Sequence, residues 1–484
     1  MSGTDEVIPL PDAAGLAEAL AYGDSYLEFR QRFDRIPGVQ AAVWATGEVR
    51  LSTAYGLADL STGAQLTSDH LFRIASHSKT VTATLVLQLV EDGVLRLDDT
   101  AAIHLPELTT TPVGGLSLRE LLSHSAGLFR DGSDGDFWQL GAPFPDRAAL
   151  LEILHDPRAA VLPANERFKY SNIGFGLLGL IVEAVSGTSL GELVDRRITG
   201  PLGLTGFGAE LRPDRAAELA AGYSSLAYAP QRSRIEHMHT AALGAATGFF
   251  STATDLVRYF AAHRFGEPIL LTDSSKRLMQ QAQWRTGADP DRRYGLGLAL
   301  TKVGDRELIG HGGGYPGHIT CTVADPHAGL VVSVLTNAID GPAQALAHAL
   351  VKLIDLAGKS ARPAESGINP ARFVGRFASL WGVIDIALLG GRLYRIHPAQ
   401  PDPTENAAEL DILDEDTLRV AGGDGYGSFG ERLTFTFAAD GGVVGVRGES
   451  QVSLVPLLSY VLPEVVQAPS NSQLASNSTG VVDR

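Results

Sequence analysis

The spacing of apolar positions changes several times along the chain, and each change marks an element. In GVQAAVWATGEVRLSTAYGLADL (residues 38–60) apolar and β-branched residues flank Thr46-Gly47, which predicts two short strands joined by a turn. Over residues 76–92 Val81, Leu85, Leu89 and Val90 recur at helical spacing and Gly93 follows as a stop, so a helix is predicted with Ser76 in its first turn. Residues from about 100 to 305 read as mostly helical, with long irregular connections; 131–146, rich in Gly, Asp and Pro, is a candidate cleft wall. The segment ELIGHGGGYPGHITCTVADPHAGLVVSVLTNA (307–338) returns to strands, the last two joined by a turn at 325–329. A sheet is therefore expected to draw on both ends of a first domain that a helix over 341–356 closes. GKSARPAESGINPARF (358–373) reads as a polar linker and sets a boundary near 360–370. Beyond it GVIDIALLGGRLYRI, DTLRVAG, ERLTFTF and GVVGVRG are short strands with glycine turns, which suggests a small closed or nearly closed β-barrel over 370–465. Residues 466–484 carry the composition of a disordered tail.

Composition narrows the partners. A chain of 484 residues exceeds what one core usually organises, in keeping with two domains. With 39 Lys+Arg against 55 Asp+Glu, the formal charge of -16 is spread along the chain and argues against nucleic acid and anionic membrane. One cysteine, Cys321, excludes an internal disulfide framework and any cysteine-based metal cluster. The opening MSGTDEVIPLPDAAGLAEAL has acids where an export signal carries Lys or Arg, and the most apolar run, 173–185, is too short to span a bilayer. A cytoplasmic protein without metal or cofactor is expected, with homo-oligomerisation left open.

Three short motifs carry the candidate chemistry. Ser76 and Lys79, three apart, share one face of a helix, so the amine can reach the hydroxyl. Serine is a poor nucleophile at neutral pH, and a lysine serves as its base only when desolvation or a neighbouring cation lowers the amine's pKa. The helix N-terminus adds a backbone N–H that can face a developing oxyanion. In RFKYSNIGFGLLGLIVEAVSG, Tyr170 and Asn172 precede an apolar helix over about 173–186 that Gly187 ends. At i and i+2 they face the same way in extended backbone. Tyr170 is a candidate proton carrier, on condition that nearby positive charge stabilises its phenolate; Asn172 is a candidate holder of a substrate amide and of the lysine amine. The plainer reading is a helix cap at Ser171 or Asn172. In His311-Gly312-Gly313-Gly314, glycines inside an apparent strand mark close approach by a backbone or a ligand. The N–H of Gly314 is a candidate oxyanion donor, and His311 is a candidate to bind a substrate carboxylate or to tune Lys79; a glycine-rich turn is the alternative.

In this order the three motifs resemble the serine β-lactamase and penicillin-recognising hydrolase superfamily, most closely its branch of class C β-lactamases, family VIII esterases and D-aminopeptidases. LRELLSHSAGL (118–128), FFSTATDLVRYF (249–260) and YGLGLAL (294–300) look like the family's connecting segments, and the resemblance covers about residues 25–355. It implies an α/β fold of β-lactamase type: an antiparallel sheet backed by helices, an inserted all-helical region, and a cleft between. It further implies that Ser76 is the acylated nucleophile, that Lys79 and Tyr170 share proton transfer, and that Asn172, His311, Gly313 and Gly314 meet the substrate. The oxyanion hole then falls to the N–H groups of Ser76 and Gly314. His311 stands where many β-lactamases carry Lys, which counts against efficient β-lactamase activity, and the C-terminal region resembles the lipocalin-like barrels appended to D-aminopeptidases.

The expected activity is cleavage of an ester or amide of a small molecule or short, D-amino-acid-containing peptide through an acyl-serine. Acyl transfer by the same intermediate, or a penicillin-fold binding protein without turnover, are the alternatives. The cleft walls at 129–145 and 223–239 are expected to choose the substrate. An α/β-hydrolase is not expected, because no Gly-x-Ser-x-Gly nucleophile elbow is recognised. His237-Met238-His239 has no third ligand nearby and reads as rim polarity, His124 as a structural hydrogen bond and His77 as directed away from Lys79. The glycine run 421–430 matches no phosphate loop.

Overall fold

Thr46 and Gly47 take positive φ values of 54° and 91°, as a tight turn between right-twisted strands requires. They join β1 (Gly38–Ala45) to β2 (Glu48–Asp59). The far edge of β1 pairs antiparallel not with a neighbour in sequence but with a strand nearly three hundred residues later, Val39 lying opposite Thr336. That strand closes a run of four: β3 (Ala299–Val303), β4 (Arg306–Tyr315), β5 (His318–Asp325) and β6 (Leu330–Thr336). The sheet thus runs β2, β1, β6, β5, β4, β3, extended at its ends by the short strands Ala64–Gln65, Arg293–Tyr294 and Trp284–Arg285. The sequence expectation of a sheet built from both ends of the first domain holds.

In this computed structural model residues 7–359, 367–422, 428–448 and 450–464 are described. They fall into two compact units, the first comprising residues 7–359 with Leu388–Gly391 and Pro398–Glu405, the second comprising the rest. In the first unit β6 is buried at every position and is packed against the helices Ala253–Ala261 and Ala343–Lys359. The helix expected over 341–356 is therefore present, shifted slightly toward the C-terminus. A helix at Ala13–Phe33 was not foreseen. Its internal Gly15 and Gly23 weaken the helical signal, yet a Cβ at Gly23 would stand 2.7 Å from the Leu350 side chain, so the glycine permits close packing against the last helix of the unit. The region from 100 to 305 is less uniformly helical than expected. It contains two-residue strands such as Phe207–Gly208 and Phe250–Ser251, too short for any periodicity to register.

The helix expected from Ser76 spans His77–Glu91 and is the axis of the unit: every residue from His77 to Leu89 is buried. It packs against the helix Asn172–Ser186, which ends at Gly187 in left-handed conformation, and against β4. No single helix among the described residues is long and apolar enough to cross a membrane.

In the second unit eight antiparallel strands, from Gly375–Ser379 to Ser453–Pro456, close into a barrel in which the first pairs with the last, Phe377 opposite Pro456. Closure removes the free edges that short strands would otherwise present. Phe373, Phe377 and Phe435 fill its core, the Phe373 and Phe435 rings 5.0 Å apart edge to face. The barrel that the glycine-punctuated strands predict is thus fully closed. The middle of the expected linker, much of the 421–430 glycine run and the expected tail lie outside the described residues.

Candidate active site

Strain at one residue sets the geometry. Ala75 has a φ of 46°, the left-handed region that a residue with a Cβ rarely occupies, and it turns the chain abruptly into the helix His77–Glu91. Ser76 holds the N-cap position of that helix but its side chain makes no capping bond. The hydroxyl is consequently free for other partners. Lys79 Nζ lies 3.2 Å from Ser76 Oγ, and the Tyr170 hydroxyl donates to the same oxygen at 2.8 Å. Tyr170 and Asn172 reach the site because Ser171 between them caps the next helix, accepting from Gly174 N. The cap reading and the site reading of this tripeptide hold together.

Lys79 is fully buried and has three neighbours: Ser76 Oγ, Asn172 Oδ1 at 2.7 Å and the Ala246 carbonyl at 2.8 Å. The last two can only accept, so they take two N–H bonds from the amine and leave its third direction on the serine hydroxyl. Burial drives the Lys79 pKa well below the ordinary lysine value; Asp131 opposes the shift and Arg130 adds to it. In the neutral amine that third direction is a lone pair, aimed at the Ser76 proton. The condition attached to Tyr170 is not met. Burial raises its pKa, outweighing Arg130, whose guanidinium lies 5.2 Å from the ring centre, so the phenol stays protonated and donates.

The third motif lies on β4. Pairing with β3 ends at Ala299–Gly310, so from His311 onward that edge of β4 is uncovered while the other edge continues along β5. His311 and Gly313 are buried; Gly312 and Gly314 are exposed. A Cβ on Gly313 would stand 2.2 Å from the Ile74 carbonyl. The close approach at this glycine is therefore by the chain's own backbone, holding β4 against the turn that presents Ser76. His311 Nδ1 donates to the Gly312 carbonyl at 2.6 Å, which leaves Nε2 to accept from the Tyr294 hydroxyl at 3.1 Å. Burial, with the Lys79 charge second, lowers the His311 pKa to about 3, so the ring is neutral and both nitrogens are occupied.

Four groups at this centre escaped the sequence reading. The Ala246 carbonyl belongs to the π-helical turn Gly244–Gly248, which frees a carbonyl for the lysine in the manner of many functional π-turns. Tyr294 opens the YGLGLAL segment, and Arg130 and Asp131 directly follow LRELLSHSAGLF. Both stretches stood out as connecting segments, and Arg130 and Asp131 fall within the expected cleft wall 129–145, but no contact with Lys79, Asn172 or His311 was legible for any of these residues. His124 Nδ1 accepts from Ser171 N at 3.2 Å while its ring lies tilted against that of Tyr170, centroids 4.2 Å apart. His77 faces the Ile74 carbonyl and Thr322. His237 lies against Arg73 and Tyr315, and His239 against Ala241 N. One expectation needs correction. The Gly-x-Ser-x-Gly spacing does occur, at 187–191, but Ser189 is the N-cap of a short helix, held in a capping box with Glu192, and it follows a helix, not a strand. It is no nucleophile elbow.

A family model described as beta-lactamase matches residues 28–355. Penicillin-binding protein 4 of Amycolatopsis lactamdurans is 28% identical over 334 residues, 64% of this chain and 85% of that protein. D-aminopeptidase of Brucella anthropi is 30% identical over 297 residues, 58% of this chain but only about half (52%) of its own length. Among solved structures, the crystal structure of SurE superposes with a TM-score of 0.59 at 27% identity, covering 91% of this chain and 99% of its own. The family model spans the Ser76, Tyr170 and His311 motifs and every strand of the sheet, and this chain belongs to the beta-lactamase family.

Proposed function

We propose that this protein is a serine hydrolase that cleaves an ester or amide of a small molecule or short peptide through an acyl-Ser76 intermediate. The observation that carries the reading is the disposition of Lys79, two of whose directions are taken by pure acceptors and the third by Ser76 Oγ. Neutral Lys79 takes the hydroxyl proton as Oγ bonds to the carbonyl carbon. On this reading the N–H groups of Ser76, at the helix mouth, and of Gly314, on β4, receive the developing oxyanion. Tyr170, protonated and 2.8 Å from Oγ, passes its proton to the leaving oxygen or nitrogen and regains one from Lys79. Water then attacks the acyl-serine by the reverse relay, releasing the acid and restoring Ser76.

Substrate choice follows from the third motif. A neutral His311 with both nitrogens engaged, followed by three glycines, offers no side-chain cation or hydroxyl between His311 and Gly314 for a substrate carboxylate. Esters and amides without a free carboxylate beside the scissile bond are favoured, D-amino-acid amides among them, in line with the similarity to D-aminopeptidase. Assays of purified protein on p-nitrophenyl butyrate, D-alanine p-nitroanilide and nitrocefin test this. Lacking a charge-assisted carboxylate contact of about 1.5–3 kcal/mol, nitrocefin is expected to show kcat/KM lower by roughly 10- to 100-fold than the best neutral substrate. A preference for nitrocefin overturns the substrate reading.

A further inference from the structure

Asp131 is the point where three elements meet, and no motif singles it out. Its Oδ1 accepts from Asn172 Nδ2 at 2.6 Å and from the Trp138 indole N–H at 2.9 Å, while Oδ2 accepts from Arg130 Nε at 3.1 Å. Its side chain is 16% exposed, against 65% for that of Arg130. A carboxylate only accepts, so the bond from Asn172 must come from the amide NH2. That fixes the amide orientation and leaves Asn172 Oδ1, and not a donor, facing Lys79 Nζ. If the amide turned over, an NH2 would face the amine, and Lys79 would have to rotate a proton away from it, taking the lone pair off Ser76. Trp138 sits in the short 3-10 turn Asp136–Gln139, its ring packed edge to face on Phe144 at 5.0 Å, and holds the carboxylate from the other side.

We propose that Asp131 is a positioning residue for the hydrolysis described above, resting on that reading, and that it acts through Asn172 to hold the Lys79 amine on Ser76. Its charge has a second consequence. The groups facing Lys79 are the Ser76, Asn172 and Ala246 oxygens and the Tyr170 and Phe175 rings, the rings 4.7 and 5.6 Å from Nζ. Arg130, His124 and His311 lie nearby, and of these Arg130 is cationic while burial keeps both histidines neutral. Asp131 is thus the anion that favours the protonated amine, against burial and Arg130. Removing the charge while keeping the acceptor lowers the amine's pKa further and extends the base form to lower pH.

Two substitutions separate position from charge. In Asp131→Asn the side-chain oxygen still accepts from Asn172 and Trp138, and the new NH2 turns toward the exposed Arg130. In Asp131→Ala both donors lose their acceptor. With a p-nitrophenyl ester over a full pH range, Asp131→Asn is expected to keep a kcat plateau close to the parent's while its acid limb moves to lower pH. Asp131→Ala is expected to lose about 100-fold in kcat, the scale of a misplaced catalytic group, with little change in KM. A parent-like profile in both variants overturns the proposal, as does an Asp131→Asn that loses as much kcat as Asp131→Ala with its acid limb unmoved. Titration of the 15N-labelled Lys79 amine by NMR in folded parent and Asp131→Asn gives a readout independent of turnover. If the parent hydrolyses neither ester nor amide, the hydrolase reading fails, and the amine titration still decides whether Asp131 acts on Lys79: a shift to lower pH supports the coupling, and coincident curves refute it.

Discussion

Ser76→Ala abolishes turnover, with an expected loss of about 10^4- to 10^6-fold in kcat, the range seen when the nucleophile or its proton acceptor is removed from a preorganised site. The substitution takes away one oxygen at a position where the helix makes no use of it, so the fold is expected to survive intact. Ser78 supplies the control. Its hydroxyl donates to the Ala75 carbonyl at 2.5 Å and accepts from Phe249 N at 3.1 Å, both fully buried structural bonds. Ser78→Ala is therefore expected to cost about 2–4 kcal/mol of stability, since two buried groups lose their partner, and to leave kcat per folded molecule close to the parent's. Steady-state kinetics beside a denaturant melt for each variant separates the two outcomes.

Lys79→Arg is expected to be nearly as damaging, by about 10^2- to 10^4-fold, although a long side chain with N–H donors is retained. A guanidinium is always protonated and carries no lone pair to offer Ser76. The same logic fixes the pH profile of the parent. Lys79 is base only when deprotonated, and burial has lowered its pKa, so kcat/KM rises with pH through that lowered value and reaches its plateau below the ordinary lysine range. Stability follows the same sign. Between the lowered folded value and the ordinary unfolded one the unfolded chain binds the extra proton, so the cost of burying Lys79 grows as pH falls across that interval. A profile still climbing through the ordinary lysine range, or a Lys79→Arg variant with parent-like kcat, contradicts the assignment of the base.

Much of the scaffold was legible because its signals are local. The Thr46-Gly47 hairpin, the helix that begins after Ser76, the strands around His311 and the glycine-punctuated barrel each announce themselves through period and turn residues. The helix Ala13–Phe33 did not, since its Gly23 is dictated by packing against Leu350, a partner more than three hundred residues away. The candidate site divides in the same way. Ser76, Lys79, Tyr170, Asn172 and His311 stand in motifs with fixed spacing, so chemistry can be read from their letters. The Ala246 carbonyl has no letter of its own, because any residue in a π-turn presents one. Asp131 and Tyr294 act on Asn172 and His311 from separate segments, and only the folded chain reveals which acid or phenol arrives there. The Gly-x-Ser-x-Gly spacing at 187–191 shows the converse: a motif present by letter and emptied of meaning by a helix cap.

The central claim is that Ser76 is the residue that becomes acylated. Intact-mass measurement after incubation with a fluorophosphonate, followed by peptide mapping, tests it most directly. One adduct per chain on the peptide bearing Ser76, undiminished in Ser78→Ala and absent in Ser76→Ala, is the predicted result. An adduct that persists in Ser76→Ala, or a parent protein that takes up none, contradicts the account.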